Sequence, residues 1–133
     1  MQVKIDYMRV YSDTSLNQDI RRLRELWRKL QSDRDRDAIY DYLSAVSDLV
    51  GWWAIQRRAV ERARRALKTN GLFAHEDPEP FAAVIAASVS PKKLDRRQLS
   101  KYSRALRYAA ARNCHPKRLK RFIKATGGLN VCA

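Results

Sequence analysis

The uneven distribution of charge is the feature that most constrains this chain. Residues 91–124 contain thirteen lysines and arginines but one acid, Asp95, so this segment carries a net charge of 13 − 1 = +12 out of a total of +14. Dense basic blocks are often disordered tails, yet this one also places Leu99, Tyr102 and Leu106 at helical spacing. We therefore predict a folded segment whose positive field attracts polyanions.

Length and composition favour one soluble domain over residues 1–133. The longest apolar run, Phe81–Val89, has about half the length that a transmembrane helix needs, and residues 1–20 lack the pattern of a secretory signal. Two cysteines, Cys114 and Cys132, do not make a disulfide framework. We expect a cytoplasmic or nucleoid-associated protein.

Hydrophobic periodicity begins after residues 1–14, which are expected to form a short strand or an extended arm. Ser15 is the expected N-cap of a first helix. The apolar side chains of that helix recur every three or four residues, at Leu16, Ile20, Leu23, Trp27 and Leu30.

A second apolar stripe extends from Ile39 to Leu67 and stops before Gly71, a typical C-terminal signal. The stripe predicts one long helix with a bend at Gly51 or at Arg57 and Arg58. Residues 15–71 are thus expected to form an antiparallel helix pair, which serves as a scaffold and a possible dimerisation surface.

Residues 77–126 are predicted to form three shorter helices. Asp77 and Pro78 are the expected start of an apolar helix over Phe81–Val89. Asp95 to Asn113 reads as a basic helix, and Pro116 opens a last helix that ends at Ala125. The fold class is therefore all-α, a small bundle of about five helices with a long N-terminal pair. Its C-terminal part is expected to resemble a helix-turn-helix, although the connection at residues 90–94 is long for that motif.

The basic helix has two contrasting faces on a helical wheel. One face is apolar, with Leu99, Tyr102, Leu106, Ala109 and Ala110. The other is cationic and could enter the major groove of DNA. The predicted DNA-binding residues on this helix are Arg96, Arg97, Ser100, Lys101, Arg104, Tyr108 and Arg112. Those of the last helix, which suit phosphate contacts, are Lys117, Arg118, Lys120 and Arg121.

These features favour non-enzymatic, sequence-influenced binding of double-stranded DNA by a small regulator or accessory factor. One alternative is a protein-interaction module, an inhibitor or adaptor, whose basic face meets an acidic partner. A second alternative is RNA binding, in which Tyr102 or Tyr108 stacks on an unpaired base. The tryptophans Trp27, Trp52 and Trp53 suggest a possible homodimer. A membrane contact is not expected, because the apolar face of the last helix is small.

Catalytic or metal-binding chemistry finds little support in the sequence. His75 lies among the acids Glu76, Asp77 and Glu79, but Asp77 is better explained as a helix cap. The adjacent Cys114 and His115 lack the paired spacing of a zinc site, and no glycine-rich loop opens a helix. We expect no enzymatic activity, metal or cofactor.

Overall fold

The computed structural model describes residues 13–32, 37–89 and 96–129, and within these ranges the chain is all-α with no strand. The all-α class is therefore confirmed, with six α-helices where about five were expected. The helix-turn-helix resemblance of the C-terminal part stays a prediction. The elements are α1 (Asp13–Ser32), α2 (Ala38–Ile55), α3 (Ala59–Thr69), α4 (Pro80–Ser88), α5 (Arg96–Ala111), a 3₁₀ turn (Pro116–Arg118) and α6 (Leu119–Ala125). None of these helices combines the length and the apolar character needed to cross a membrane.

The short helix α4 is the centre of the bundle. It packs against α1, α2, α3 and α5, and six of its nine residues are buried. Its sequence is apolar around the whole circumference, which is typical of a helix enclosed on all sides. Its four alanines let neighbouring helices approach closely. By its packing, α4 belongs to the N-terminal helices as much as to the basic segment that follows it.

Helices α1 and α2 run antiparallel, as the periodicity predicted. Ser15 near the start of α1 and Trp52 near the end of α2 line the same groove, while Trp27 and Tyr42 meet edge to face with ring centroids 5.1 Å apart. The Tyr42 hydroxyl shares a buried hydrogen bond with the hydroxyl of Ser88 in α4. Burial raises the pKa of Tyr42 far above its ordinary value, so this phenol stays protonated.

The prediction of one long second helix is wrong, because the stripe divides into α2 and α3. Arg57 adopts a left-handed backbone with φ +58°, and the Arg58 N–H donates to the Trp53 carbonyl at 3.0 Å. This is the geometry of a Schellman helix end. Helix α2 continues through Gly51 without a break, so the interruption lies at the polar residues and not at the glycine.

The predicted start of α4 at Asp77 and Pro78 is also wrong. Glu79 is the N-cap, and its carboxylate accepts a hydrogen bond from the Ala82 N–H at 2.7 Å. Pro80 occupies the first helical position. The residue before a proline is disfavoured in the α region, so Glu79 is held extended (φ −71°, ψ 122°) and the helix cannot begin earlier.

Several other predictions concern residues at the edges of the described ranges. Helix α1 begins at Asp13, two residues before the expected cap Ser15. The rest of the proposed strand or arm, the Asp95 cap, the connection at residues 90–94 and Cys132 lie outside the described residues.

The last elements dock on α2. Leu119 and Ile123 of α6 are fully buried, and the Ser44 hydroxyl donates to the Pro116 carbonyl at 3.0 Å. Pro116 opens this region as predicted, but the first residues form a 3₁₀ turn. These contacts fix α6 beside α5 and so position the basic side chains of both helices.

Candidate nucleic-acid interface

Helix α5 buries most of the predicted apolar face, but the centre of the buried face is shifted around the helix. Tyr102, Leu106 and Ala109 are buried as predicted. Ala110 is exposed, contrary to prediction, and Leu99 is half-buried. Small side chains at Ser103 and Ala105 are buried instead. Since α5 contacts α4, α2 and α6, its buried arc is determined by three neighbours and not by one apolar stripe.

The DNA-binding residues predicted on this helix differ in their exposure to solvent. Ser100 and Lys101 are half-buried, and the Lys101 ammonium lies 5.6 Å from the centre of the Tyr102 ring. These two residues are therefore less accessible than the other predicted contact residues of this helix. The remaining five are exposed: Arg96, Arg97, Arg104, Tyr108 and Arg112.

A stack of three side chains joins α5 to α6. Tyr108 is 36% exposed, and its ring lies 5.7 Å from the ring of the half-buried Phe122. The Arg112 guanidinium lies over the Tyr108 ring at 5.1 Å. Such a cation–π contact restricts the arginine while leaving its N–H groups available. The sequence predicted Tyr108 and Arg112 as individual contact residues. It did not predict that Arg112 stacks on the Tyr108 ring or that Phe122 packs against the same ring.

The 3₁₀ turn and α6 add exposed cations beyond the end of α5. Lys117, Arg118, Lys120 and Arg121 are all exposed. His115 organises the turn, because its Nδ1 accepts a hydrogen bond from the Lys117 N–H at 3.1 Å. Asn113 ends α5 in a left-handed conformation with φ +57°, which reverses the chain toward α6.

Ion pairs neutralise only some of these cations. Residues 96–129 contain eleven lysines and arginines and no acid. Within the described part of the chain, ion pairs reach Arg107, whose partner is Glu79 at 3.3 Å, and Lys120 and Lys124, which share Asp37. The exposed cations without such a pair form what we call the cationic surface: Arg96, Arg97, Arg104, Arg112, Lys117, Arg118 and Arg121.

The pairings of Arg107, Lys120 and Lys124 were not predicted. Asp37 is separated from Lys124 by 87 residues, so no local spacing signals the contact. The two lysines hold the pKa of Asp37 below its usual value, chiefly through their hydrogen bonds to the carboxylate. Burial raises the pKa of Glu79, which the Ala82 N–H and Arg107 partly offset.

The histidine, acidic and cysteine side chains that could suggest catalysis or metal binding make contacts within the fold instead. The His75 ring packs edge to face on Phe73 at 4.9 Å, and Glu79 caps α4. The Cys114 thiol lies 3.5 Å from the His115 carbonyl. Burial raises the pKa of Cys114, which disfavours the reactive thiolate. Among the described residues, no group of three or more His, Cys, Asp or Glu side chains is placed to hold a metal.

Comparison with known proteins adds no family to this picture. No family model, no curated protein and no solved structure matches the chain.

Proposed function

We propose that this protein binds double-stranded DNA without catalysis, through the cationic surface on α5, the 3₁₀ turn and α6. One observation carries the proposal: residues 96–129, which form α5, the 3₁₀ turn and α6, contain eleven cations and no acid. An ordinary solvated helix face intersperses acids that form i,i+4 pairs with its bases. A surface that lacks them repels other cations and attracts the regularly spaced phosphates of a duplex.

In this proposal α5 is the helix that enters the major groove. Its outer side carries Arg97 and Arg104, which can reach guanine edges or phosphates, while Tyr102 and Leu106 hold its inner side on the core. Helix α4 supports α5 from behind, in the manner of the first helix of a helix-turn-helix. We propose that resemblance as the docking mode; the connecting residues 90–95 lie outside the described chain.

The turn and α6 supply phosphate contacts in the same proposal. Lys117, Arg118 and Arg121 are exposed at the C-terminal side of α5. Phosphate contacts fix the register of a protein on the duplex, while base contacts select the sequence. Sequence-influenced binding of this kind suits a small transcription regulator or accessory factor.

RNA binding is weakened as an alternative, because Tyr102 is buried and cannot stack on a base. Tyr108 is the remaining candidate for that role. An acidic protein partner stays the main alternative for the cationic surface.

A homodimer formed through the tryptophans would need one of them at the surface. Trp27 and Trp53 are in the core, so such a contact would depend on Trp52, which is 40% exposed.

The experiment is fluorescence anisotropy with a labelled random duplex of about 30 base pairs, titrated at several salt concentrations. About six phosphate contacts predict a slope of log K against log salt of about −5. Single-stranded DNA and RNA of the same length are the comparison probes. Absence of duplex binding at low salt would exclude the proposal, and a preference for single strands would favour the RNA alternative.

A further inference from the structure

We propose that Lys120 and Lys124 form an anion site that Asp37 occupies as an internal ligand, and that a DNA backbone phosphate takes the place of Asp37 in the complex. The inference rests on the proposed function. Asp37 Oδ2 lies 3.0 Å from Lys120 Nζ and 2.9 Å from Lys124 Nζ. The lysines are four residues apart and thus neighbours on one face of α6, so both ammonium groups reach the same oxygen.

The position of Asp37 in the chain makes this contact informative. Asp37 directly precedes α2, where an aspartate side chain ordinarily accepts a hydrogen bond from the first backbone N–H groups of the helix. Here the side chain makes no such capping bond. Its carboxylate points instead to a helix more than 80 residues further along the chain.

The site has the donors that a phosphate requires. Carboxylate and phosphate oxygens both accept charge-assisted hydrogen bonds from ammonium groups, at about 2.7–2.9 Å. Lys124 also lies 6.0 Å from the centre of the buried Tyr40 ring, a contact that does not depend on Asp37. The ring therefore supports the lysine when the carboxylate is replaced.

Exchange of ligand at this site needs no unfolding. The Asp37 side chain is 32% exposed and both lysine side chains are 51% exposed, and exposed ion pairs are individually weak. The neighbouring cations Arg118 and Arg121 belong to the cationic surface, so a phosphate strand bound there continues toward Lys120 and Lys124. Asp37 thus reduces the affinity of the free protein for polyanions without blocking the site.

The test measures duplex binding of the full chain with Asp37→Asn and the matched control Asp41→Asn. Asp41 is an exposed acid of α2 without an ion pair in the described residues, and both variants change the net charge equally. At about 100 mM salt we expect Asp37→Asn to bind about 3- to 10-fold more tightly than the parent, and Asp41→Asn less than about 2-fold. Equal affinities for the two variants, or weaker binding by Asp37→Asn, would overturn the inference.

A second comparison leaves the start of α2 intact. Replacing both lysines with glutamine (Lys120→Gln with Lys124→Gln) should flatten the salt slope by about 1.8, because two phosphate contacts are lost. The pair Arg118→Gln with Arg121→Gln should flatten it similarly but cost more affinity, since no internal ligand competes there. An unchanged salt slope for the lysine double variant would mean that Asp37 stays in place and would overturn the inference.

Failure of the inference and failure of the proposed function give different results. If the parent chain itself binds no duplex, the proposed function fails as well. If the parent binds and only the differences between variants are missing, the inference alone fails.

Discussion

The N-terminal and C-terminal parts of this protein contain similar numbers of cations and use them differently. Residues 13–89 hold thirteen lysines and arginines and twelve acids, whereas residues 96–129 hold eleven and none. In the first part, arginines connect elements: Arg24 donates to the Ala87 carbonyl at the end of α4, and Arg64 donates to the Glu76 carbonyl.

In the C-terminal part, most cations have no carboxylate partner among the described residues. The exceptions are informative, because Arg107, Lys120 and Lys124 take their acidic partners from the N-terminal part of the chain. The two parts therefore differ less in the number of their cations than in which of those cations have a carboxylate partner among the described residues. We base the proposed interface on this difference and not on the total charge of +14.

The largest expected effect tests the scaffold side of the comparison. Trp53 is fully buried, while its neighbour Trp52 is 40% exposed. Trp53→Ala should lower the free energy of unfolding by about 3–5 kcal/mol, since it leaves a large cavity. Trp52→Ala should change it by about 1 kcal/mol or less. Denaturant unfolding checks both, and similar losses for the two tryptophans would contradict the orientation of α2.

The next effect tests the cationic surface. Arg97→Ala or Arg104→Ala should weaken duplex binding by about 1–3 kcal/mol. Neither should alter the free energy of unfolding beyond about 0.5 kcal/mol, because both side chains are exposed. Anisotropy and denaturant unfolding on the same preparations separate the two quantities. Parental affinity in both variants would remove α5 from the proposed interface.

A smaller effect concerns the stack on Tyr108. Since Arg112 lies over this ring, Tyr108→Ala and Arg112→Ala should be non-additive for duplex binding by about 0.5–1 kcal/mol. Arg104 lies one turn to the other side of Tyr108, so Arg104→Ala combined with Tyr108→Ala provides the control and should be additive. Tyr108→Phe keeps the ring and should retain parental affinity. Additivity in both cycles would show that Tyr108 does not act through Arg112.

The smallest effect tests the break between α2 and α3. Arg57 holds a left-handed backbone that disfavours side chains other than glycine. Arg57→Gly should therefore raise the free energy of unfolding by about 0.5–1 kcal/mol. Gly71→Ala, at the corresponding end of α3 with φ +72°, should lower it by a similar amount. Thermal and denaturant unfolding provide the measurement; a destabilised Arg57→Gly would mean that the arginine side chain holds this end.

The elements that periodicity predicted well are those whose burial has one dominant face. In α1, Leu16, Ile20, Leu23 and Trp27 are all in the core. Helix α4 was predicted from its uninterrupted apolar run, and it lies at the centre of the bundle. Such regular patterns reflect local geometry alone, because residues three or four apart share a face of any α-helix.

The features that the sequence did not predict have two causes. Some depend on competition between neighbouring helix-start signals, and others on contacts between residues that are far apart in the sequence. Helix α4 starts at Pro80 and not at Pro78, although both prolines follow an acidic residue. Ala110 is exposed because the neighbours of α5 determine its buried arc. Lys120 was predicted as a phosphate contact, but its ion pair with Asp37 arises only from tertiary packing.

The most direct test of the central claim compares two charge reversals of equal size. One variant changes Arg97, Arg104 and Arg121 to glutamate; the other changes Arg21, Arg28 and Lys29, which are exposed on α1. Both lower the net charge by the same amount, and duplex binding is measured by anisotropy at low salt. Loss of binding with the first variant and near-parental affinity with the second would support the cationic surface as the DNA interface. Equal losses would show that net charge alone attracts DNA and would contradict the account.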